Sequence, residues 1–280
     1  MPLVYCDSNF IITAAQGPEP YKAHLRQLSS TGIVTFVVSP FHWVDLAEDA
    51  NVARADATAD FIDSLGAQWI RARRNIEAKE VVAAFFRYVH IPIKDVQMVV
   101  SLKDVIAELS GKPGNVPSKD FIAHLRVTGA NHPLRANLDK GFATNQKNTA
   151  EYNKGVFTPA YRRERETEYV RQLLPARTPA ELEIDLGSKK AFLDAQKLTD
   201  FPSMCLETRG TYDNWQTGRQ LTRNNFIDQQ HVMALPYVDF FVTDDRSLTT
   251  LIGRIVNSVP FRCATVITQA QFDCLYPPAA

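Results

Sequence analysis

Apolar and polar residues follow two different patterns along this chain. Towards both ends, short β-rich apolar runs are each followed by a stretch with apolar residues at helical spacing, which predicts strand–helix units. The predicted strands are 3–6, 33–38, 67–70, 238–242 and 263–267. The helices predicted around them are 9–15, 21–29, 41–65, 224–235, 247–256 and a closing helix from Gln269. Such alternation is typical of α/β proteins with a parallel sheet.

The middle of the chain lacks this alternation. It reads as helices separated by polar breaks, at 76–89, 102–109, 120–127, 159–174 and 180–198. The stretch 129–154 is rich in Asn, Lys and Gly with little periodicity, which predicts an exposed loop. The simplest architecture is a small parallel sheet flanked by helices, formed by residues 1–72 and 200–280. Residues 73–199 are then a helical insertion subdomain.

The overall composition excludes few classes of protein, but the distribution of charge along the chain bears on function. The 280 residues are 45% hydrophobic and contain 31 basic and 31 acidic side chains, so no overall field attracts nucleic acid or membrane. Residues 1–66 hold three basic and eight acidic side chains, whereas 112–177 hold twelve and six. An acidic site beside a basic arm suits an enzyme that holds metal and binds a polyanion. Solvated surface explains any single charge run equally well.

The cysteines and the N-terminal residues indicate the cellular compartment in which the protein is expected. Cys6, Cys205, Cys263 and Cys274 are scattered without CxxC spacing, which disfavours a zinc site and favours buried free thiols. The N-terminal sequence has no basic segment followed by an apolar one, and no stretch has the apolar length of a membrane span. We therefore expect a cytoplasmic protein without a membrane partner.

Four acidic residues occupy comparable places beside the predicted strands. Asp7 follows the first strand, Asp45 lies early in the helix after the second, Asp228 lies on the helix before strand 238–242, and Asp245 follows that strand. Open α/β sheets bind ligands in the crevice at the carboxyl ends of their strands. Gathered carboxylates repel one another and usually imply a cation, so this order predicts a site for one or two Mg²⁺ or Mn²⁺ ions. Such ions activate water for attack on a phosphodiester.

Each acid also has a structural interpretation. A lone Asp after a strand is commonly a helix cap or a turn residue, and we expect that role for Asp244, although it could instead support the site. Four acids in matching order favour a common site, because independent caps have no reason to reproduce the whole order. His231 lies one helical turn after Asp228. We expect it to support the site or belong to the core, since oxygen ligands suit Mg²⁺ better than imidazole.

Three motifs together resemble the PIN-like nuclease domain, which toxin ribonucleases share with many bacterial proteins. They are DSN after the first strand, SPFHWVD after the second, and DQQHVMALPYVDFFVTDD near the C-terminus. The resemblance covers about the first 70 and last 70 residues and none of the middle. It implies a metal-dependent endoribonuclease in which Asp7, Asp45, Asp228 and Asp245 are the catalytic Mg²⁺ or Mn²⁺ ligands. It also implies supporting roles for Asn9 and Thr243.

Two positions depart from the family pattern. Asp45 stands where Glu is usual, and Glu48 follows one turn later, so either could be the ligand; we favour Asp45. Asn225 stands where relatives often carry a further acid, which weakens a second metal position. The alternative function is therefore a catalytically inactive PIN-like scaffold that binds nucleic acid or protein. A haloacid-dehalogenase-like phosphatase is disfavoured, because that chemistry needs a second Asp where this chain has Asn9.

The expected substrate is single-stranded or structured RNA, and the choice of RNA over DNA comes from the resemblance alone. Arg162, Arg163 and Arg165 with Tyr161 and Tyr169 could hold RNA by phosphate contacts and stacking. The interleaved Glu164, Glu166 and Glu168 make a salt-bridged helix equally plausible. The resemblance leaves room for an inhibitor protein, as in toxin–antitoxin pairs, and for a homodimer.

Overall fold

A computed structural model describes residues 1–92, 96–112, 114, 116–152, 158–177, 186–217 and 222–278. In these residues the protein is α/β, with six strands in one sheet and fourteen α-helices. No helix among them has both the length and the apolar character that crossing a bilayer requires. All four cysteines are free thiols; Cys6 and Cys205 are buried as expected, whereas Cys263 is half-buried and Cys274 is exposed.

The sheet is mixed rather than purely parallel. Its strands are β1 (Leu3–Cys6), β2 (Thr35–Val38), β3 (Gln68–Ile70), β4 (Val99–Val100), β5 (Phe240–Val242) and β6 (Thr265–Ile267). They lie in the order β4-β3-β2-β1-β5-β6, and only the β3–β4 pair is antiparallel. The prediction of a parallel sheet is therefore wrong at one edge. Two β-branched residues are too few to give a periodic signal, so β4 was hidden within the segment predicted as helical.

The helices of the end regions are α1 (Ser8–Gln16), α2 (Glu19–Ser30), α3 (Pro40–Glu48), α4 (Val52–Ser64), α11 (Pro202–Gln216), α12 (Arg223–His231), α13 (Arg246–Val256) and α14 (Gln269–Leu275). The single helix predicted at 41–65 is thus two helices. The break follows from side-chain oxygens that bind the backbone: Asp49 accepts from the Asn51 N–H, and Asn51 caps α4 by accepting from Arg54. Helix α12 is shorter than predicted and continues as a 3₁₀ turn over Val232–Tyr237.

The helices of the middle are α5 (Arg73–Tyr88), α6 (Leu102–Ser110), α7 (Ser118–Thr128), α8 (Pro133–Tyr152), α9 (Pro159–Arg177) and α10 (Leu186–Ala195). The loop predicted at 129–154 is wrong, because most of it forms α8. Leu138 is buried, and Gly141 lets α8 approach α12 so closely that a Cβ there would lie 3.0 Å from the Phe226 ring. The predicted helix 180–198 begins outside the described residues.

Alternating strand residues enter cores on opposite faces of the sheet. Val4, Phe36 and Trp69 face a core closed by α1, α2, α4, α6 and α7, whereas Tyr5 and Phe241 face one closed by α11, the 3₁₀ turn and α13. Helices α6 and α7 from the middle thus share a core with the N-terminal strands. The boundaries at 72/73 and 199/200 stay a prediction.

The order of the strands creates a switch point beside β1. The chain runs from β1 outward through β2 and β3 on one side, and later adds β5 and β6 on the other. A crevice for ligands is expected where two such directions diverge, at the carboxyl ends of β1 and β5. Asp7 directly follows β1, and the sequence Thr243-Asp244-Asp245 directly follows β5. Two of the four predicted acids are therefore at the switch point.

Candidate active site

Asp7 is held rigidly at the end of β1. It caps α1 through a 2.7 Å hydrogen bond in which its Oδ1 accepts from the Phe10 N–H, and its Oδ2 accepts from the Thr243 hydroxyl. The residue is only 3% exposed. Burial raises the pKa of this carboxyl, while the two hydrogen bonds and His231 oppose the rise. The helix-cap interpretation is thus correct for Asp7, and the cap lies at the crevice.

Thr243 connects the ends of the two central strands. Its hydroxyl donates to Asp7 and accepts from the Asp245 N–H at 3.1 Å, so one buried side chain fixes both acids. Asp245 in turn caps α13 by accepting from the Ser247 and Leu248 N–H groups at 2.6 and 3.0 Å. The helix cap expected of Asp244 is therefore supplied by Asp245. Asp244 is exposed and accepts instead from the Gln269 N–H at 3.2 Å.

Asp45 and Glu48 lie one turn apart on α3 in different surroundings. Asp45 Oδ2 accepts from the Ser8 hydroxyl and lies 3.3 Å from His231 Nε2. Glu48 forms ion pairs with Arg135 and Arg223 from α8 and α12. The charge of Glu48 is neutralised within the protein, whereas the partners of Asp45 among the described residues are a hydroxyl and an imidazole.

His231 links Asp45 to the interior. It is 1% exposed, and its Nδ1 lies 2.5 Å from the Tyr5 hydroxyl, which is 2.7 Å from the Ser39 hydroxyl. Burial raises the pKa of Tyr5 well above its usual value. The expectation that His231 supports the site from the core agrees with these contacts. Because both ring nitrogens have partners, the orientation of the ring beside Asp45 is fixed.

His42 packs edge-on against His231, with ring centroids 4.8 Å apart. Its Nδ1 accepts from the Ser39 N–H at 3.1 Å, so its Nε2 carries the proton that is donated to the Cys6 carbonyl at 2.8 Å. Burial lowers the pKa of His42 to about 3, which keeps this ring neutral. It therefore adds no positive charge beneath the crevice.

The charges of the other three predicted acids influence the pKa of Asp228. Asp228 lies half-buried on α12, and in the described part of the chain its carboxylate accepts no hydrogen bond. Burial is the main cause that raises its pKa to about 6; His231 opposes the rise, and the charges of Asp45, Asp245 and Asp7 add to it. The four predicted acids thus share one electrostatic environment.

The acids are not preassembled into a metal cage. Among the described residues, no three side chains of His, Cys, Asp or Glu lie close enough together to hold an ion. Asn9, a predicted supporting residue, is exposed on α1, and Asn225 donates its backbone N–H to the hydroxyl of Thr222, which caps α12.

Sequence reasoning missed several polar residues of the crevice: Ser8, Tyr5, Ser39 and His42. Ser8 follows Asp7 directly, and Ser39 and His42 belong to the SPFH sequence, so their positions beside the acids were visible. Their contacts were not, because each partner lies on another element: Ser8 binds Asp45, and Tyr5 binds His231 across 226 positions of the chain.

The predicted RNA-binding helix is α9, and its charges are largely paired. Arg165 lies over the Tyr161 ring at 5.3 Å and pairs with Glu168, while Glu166 pairs with Arg209. These pairs agree with the salt-bridged alternative, although the spacing of Arg165 and Glu168 is three residues. The side chain of Arg162 lies outside the described residues. RNA binding by α9 stays a prediction.

Comparisons of the chain with protein-family models, curated proteins and solved structures found no match. Its function is therefore inferred from the residues of the crevice together with the sequence motifs.

Proposed function

We propose that this protein is a Mg²⁺- or Mn²⁺-dependent endoribonuclease of the PIN-like kind, with its active site at the carboxyl ends of β1 and β5. One observation carries the proposal: Thr243 joins Asp7 and Asp245 at the carboxyl ends of β1 and β5, and Ser8, the residue after Asp7, holds Asp45. Burial, with smaller additions from the charges of Asp45, Asp245 and Asp7, raises the pKa of Asp228 to about 6, and a divalent cation would favour its charged form. An all-oxygen donor set suits Mg²⁺ and Mn²⁺. The location of the acids at the switch point supports the same site.

The surroundings of α3 support Asp45, rather than Glu48, as the metal ligand. Glu48 has two arginine partners, and recruiting it would remove a partner from each, although Arg223 would keep its ion pair with Asp139. Among the described residues, Asp45 pairs with no arginine or lysine. Asp228 is the acid best able to rotate towards an ion, because no hydrogen bond from the described residues holds its carboxylate. Such a rotation is required, since the cage is not preassembled.

The chain's own residues orient the acids and the ion supplies the reactivity. Thr243 holds Asp7 and the backbone of Asp245, and Ser8 and His231 hold Asp45. A bound ion would activate water and stabilise negative charge on the phosphate. The basic region around α8 and α9 would bind RNA, and the choice of RNA over DNA rests on the resemblance to PIN-like domains.

The test replaces single carboxylates by their isosteric amides. Asp7→Asn and Asp245→Asn should each abolish Mn²⁺-dependent cleavage of RNA, because each removes a metal ligand. The fold should persist, because Asn is as good a helix cap as Asp. Cleavage of labelled RNA gives the rate, and circular dichroism checks the fold. Asp244→Asn is the matched control and should retain activity. Wild-type rates for both Asp7→Asn and Asp245→Asn would show the assignment to be wrong.

The second candidate is a PIN-like scaffold without catalysis, which the absence of a preassembled cage in the described residues favours. Metal binding separates the two functions. Mn²⁺ should raise the melting temperature of a nuclease in proportion to the logarithm of its concentration, because it binds only the folded state. Asp45→Asn should weaken that response and Glu48→Gln should leave it intact. No response in the wild-type protein would favour the scaffold.

A further inference from the structure

A large cavity lies on the opposite side of α12 from the proposed active site. Its volume is about 990 Å³, and helices α5, α8, α9, α11 and α12 surround it. Phe226 and Gln230 line it from α12. At 100° per residue these two positions share one face of the helix, whereas Asp228 points about 160° away from them. The size and the location between helices are typical of small-molecule sites.

One side of the cavity is aromatic. Tyr212, Trp215 and Phe226, which we call the aromatic wall, are each at most 8% exposed and all line the cavity. The rings of Tyr212 and Trp215 lie 5.1 Å apart at 60°. Aromatic surfaces grouped in this way favour a flat ring as the ligand, because stacking buries both of its faces.

Two amides give the cavity hydrogen-bonding groups that the described protein leaves unused. Gln230 is 98% buried, and its Nε2 lies beside the Glu207 carboxylate but outside hydrogen-bonding geometry. The buried Oδ1 of Asn145 likewise has no partner among the described residues. A buried donor or acceptor without a partner is costly, so a ligand that offers both kinds of group is favoured. The edge of a nucleobase does so, and amide side chains are its usual partners.

The charges of the cavity give a ligand one orientation. At its floor the buried Glu77 and Glu207 both contact the guanidinium of Arg73, at 2.9 and 2.6 Å. At its rim Arg74 and Lys140 are exposed, and neither forms an ion pair with any described residue. A phosphate would be attracted by the rim.

We propose that this cavity binds a nucleoside monophosphate, with the base between the aromatic wall and the two amides and the phosphate at Arg74 and Lys140. The site is independent of the metal site, because it uses the other face of α12. It would therefore persist if the crevice proved inactive.

Calorimetry on the full chain, with AMP, GMP, CMP and UMP as probes, tests the proposal. Ribose 5-phosphate and the corresponding nucleosides are the controls that lack base or phosphate. At least one nucleotide should bind about tenfold more tightly than either control, which is the scale expected for one stacked base or one charged hydrogen bond. Failure of all four to bind, or equal binding of ribose 5-phosphate, would overturn the proposal.

Two exposed lysines make a matched pair of variants. Lys140→Glu should weaken nucleotide binding about tenfold without changing nucleoside binding, because only the phosphate contacts the rim. Lys103→Glu makes the same change of charge in the first turn of α6; Glu108 and Leu109 at the other end of that helix line the cavity, but Lys103 does not, so the variant should have no effect. Equal effects of the two variants would contradict the assignment. Gln230→Leu should alter the preference among the four bases, and an unchanged preference would contradict the role of the amide.

Competition by a short 5′-phosphorylated RNA then identifies the source of the nucleotide. Displacement of the bound monophosphate would mean that the cavity receives the end of a strand, and lack of displacement would mean a free nucleotide. Either result is consistent with the proposed chemistry.

Discussion

Two groups of acidic side chains in this protein have opposite surroundings. Glu77 and Glu207, the paired glutamates, are buried with Arg73 between them. The crevice acids are Asp7, Asp45, Asp228 and Asp245. In the part of the chain that the structure describes, no Lys or Arg forms an ion pair with Asp7, Asp45 or Asp228. Burial and mutual repulsion raise the pKa of Asp228 instead.

This difference in surroundings distinguishes carboxylates that stabilise the fold from carboxylates that are suited to binding a cation. A buried carboxylate that serves only the fold is stable when its counter-charge is part of the fold. Carboxylates that are gathered without one destabilise the folded state, and such an arrangement is expected where a cation binds from outside. Glu48 belongs to the first kind and Asp45 to the second, although both lie on α3.

The largest effect on stability is expected from removing Arg73, which both paired glutamates contact. Arg73→Met should lower the free energy of unfolding by about 3 kcal/mol, because it removes a positive charge that two buried carboxylates contact. We take the lower end of the usual range, since the Arg73 side chain is 38% exposed whereas those of Glu77 and Glu207 are 2% and 10% exposed. Urea denaturation measures the change.

Arg54→Met is the matched control for that variant. Arg54 pairs with Asp49 at the surface, where solvent screens the pair, so its loss should cost much less than the loss of Arg73. Equal losses for Arg73→Met and Arg54→Met would mean that the paired glutamates do not depend on their arginine, and the contrast with the crevice would fail.

In the crevice, by contrast, removing a charge is expected to stabilise the folded protein. The pKa of Asp228 rises from 3.8 to about 6 on folding, so the unfolded chain loses this proton first as the pH increases. The contribution of Asp228 to stability therefore falls between pH 4 and 6 and is unfavourable above that. Asp228→Asn should stabilise the metal-free protein at pH 8 by at most about 3 kcal/mol, and by much less at pH 4.

Urea denaturation in EDTA at the two pH values measures this effect. Glu48→Gln, which weakens existing ion pairs, should destabilise the protein under the same conditions. A loss of stability in Asp228→Asn at pH 8 would show that its carboxylate already has a favourable partner, and the need for an external cation would disappear.

The smallest effect on stability is expected from a substitution of Tyr5, which lies beneath the crevice. Tyr5→Phe removes the hydroxyl that lies between His231 and Ser39, and should cost about 1–2 kcal/mol because buried polar groups lose a partner. If His231 orients Asp45 as proposed, the variant should also bind Mn²⁺ more weakly, as measured by calorimetry. Unchanged Mn²⁺ affinity would limit Tyr5 to a structural role.

The sequence revealed the crevice better than it revealed the helices around it. Short β-branched runs and the residues that end them are local signals, so β1, β2, β3, β5 and β6 and the positions of Asp7 and Asp245 could be predicted. Helix α8 could not, because it depends on Leu138 and on the contact of Gly141 with Phe226, which is distant in sequence. Strand β4 depends in the same way on the neighbouring β3.

The paired glutamates show a further limit of sequence reasoning. Arg73 and Glu77 are one helical turn apart, and that pair is visible in the sequence. Glu207 lies 134 positions from Arg73, and nothing local indicates that it shares the same guanidinium. For the same reason, physical support for the preference for Asp45 over Glu48 came only when their partners on α1, α8 and α12 were located.

The bridge formed by Thr243 has a consequence for the order of biosynthesis. It joins Asp7 to Asp245, and Thr243 itself lies 236 positions after Asp7. While the ribosome is still making the middle helices, β1 can pair with β2 but not with β5. The crevice therefore stays incomplete until β5 has been made, and the proposed metal site cannot form before that point.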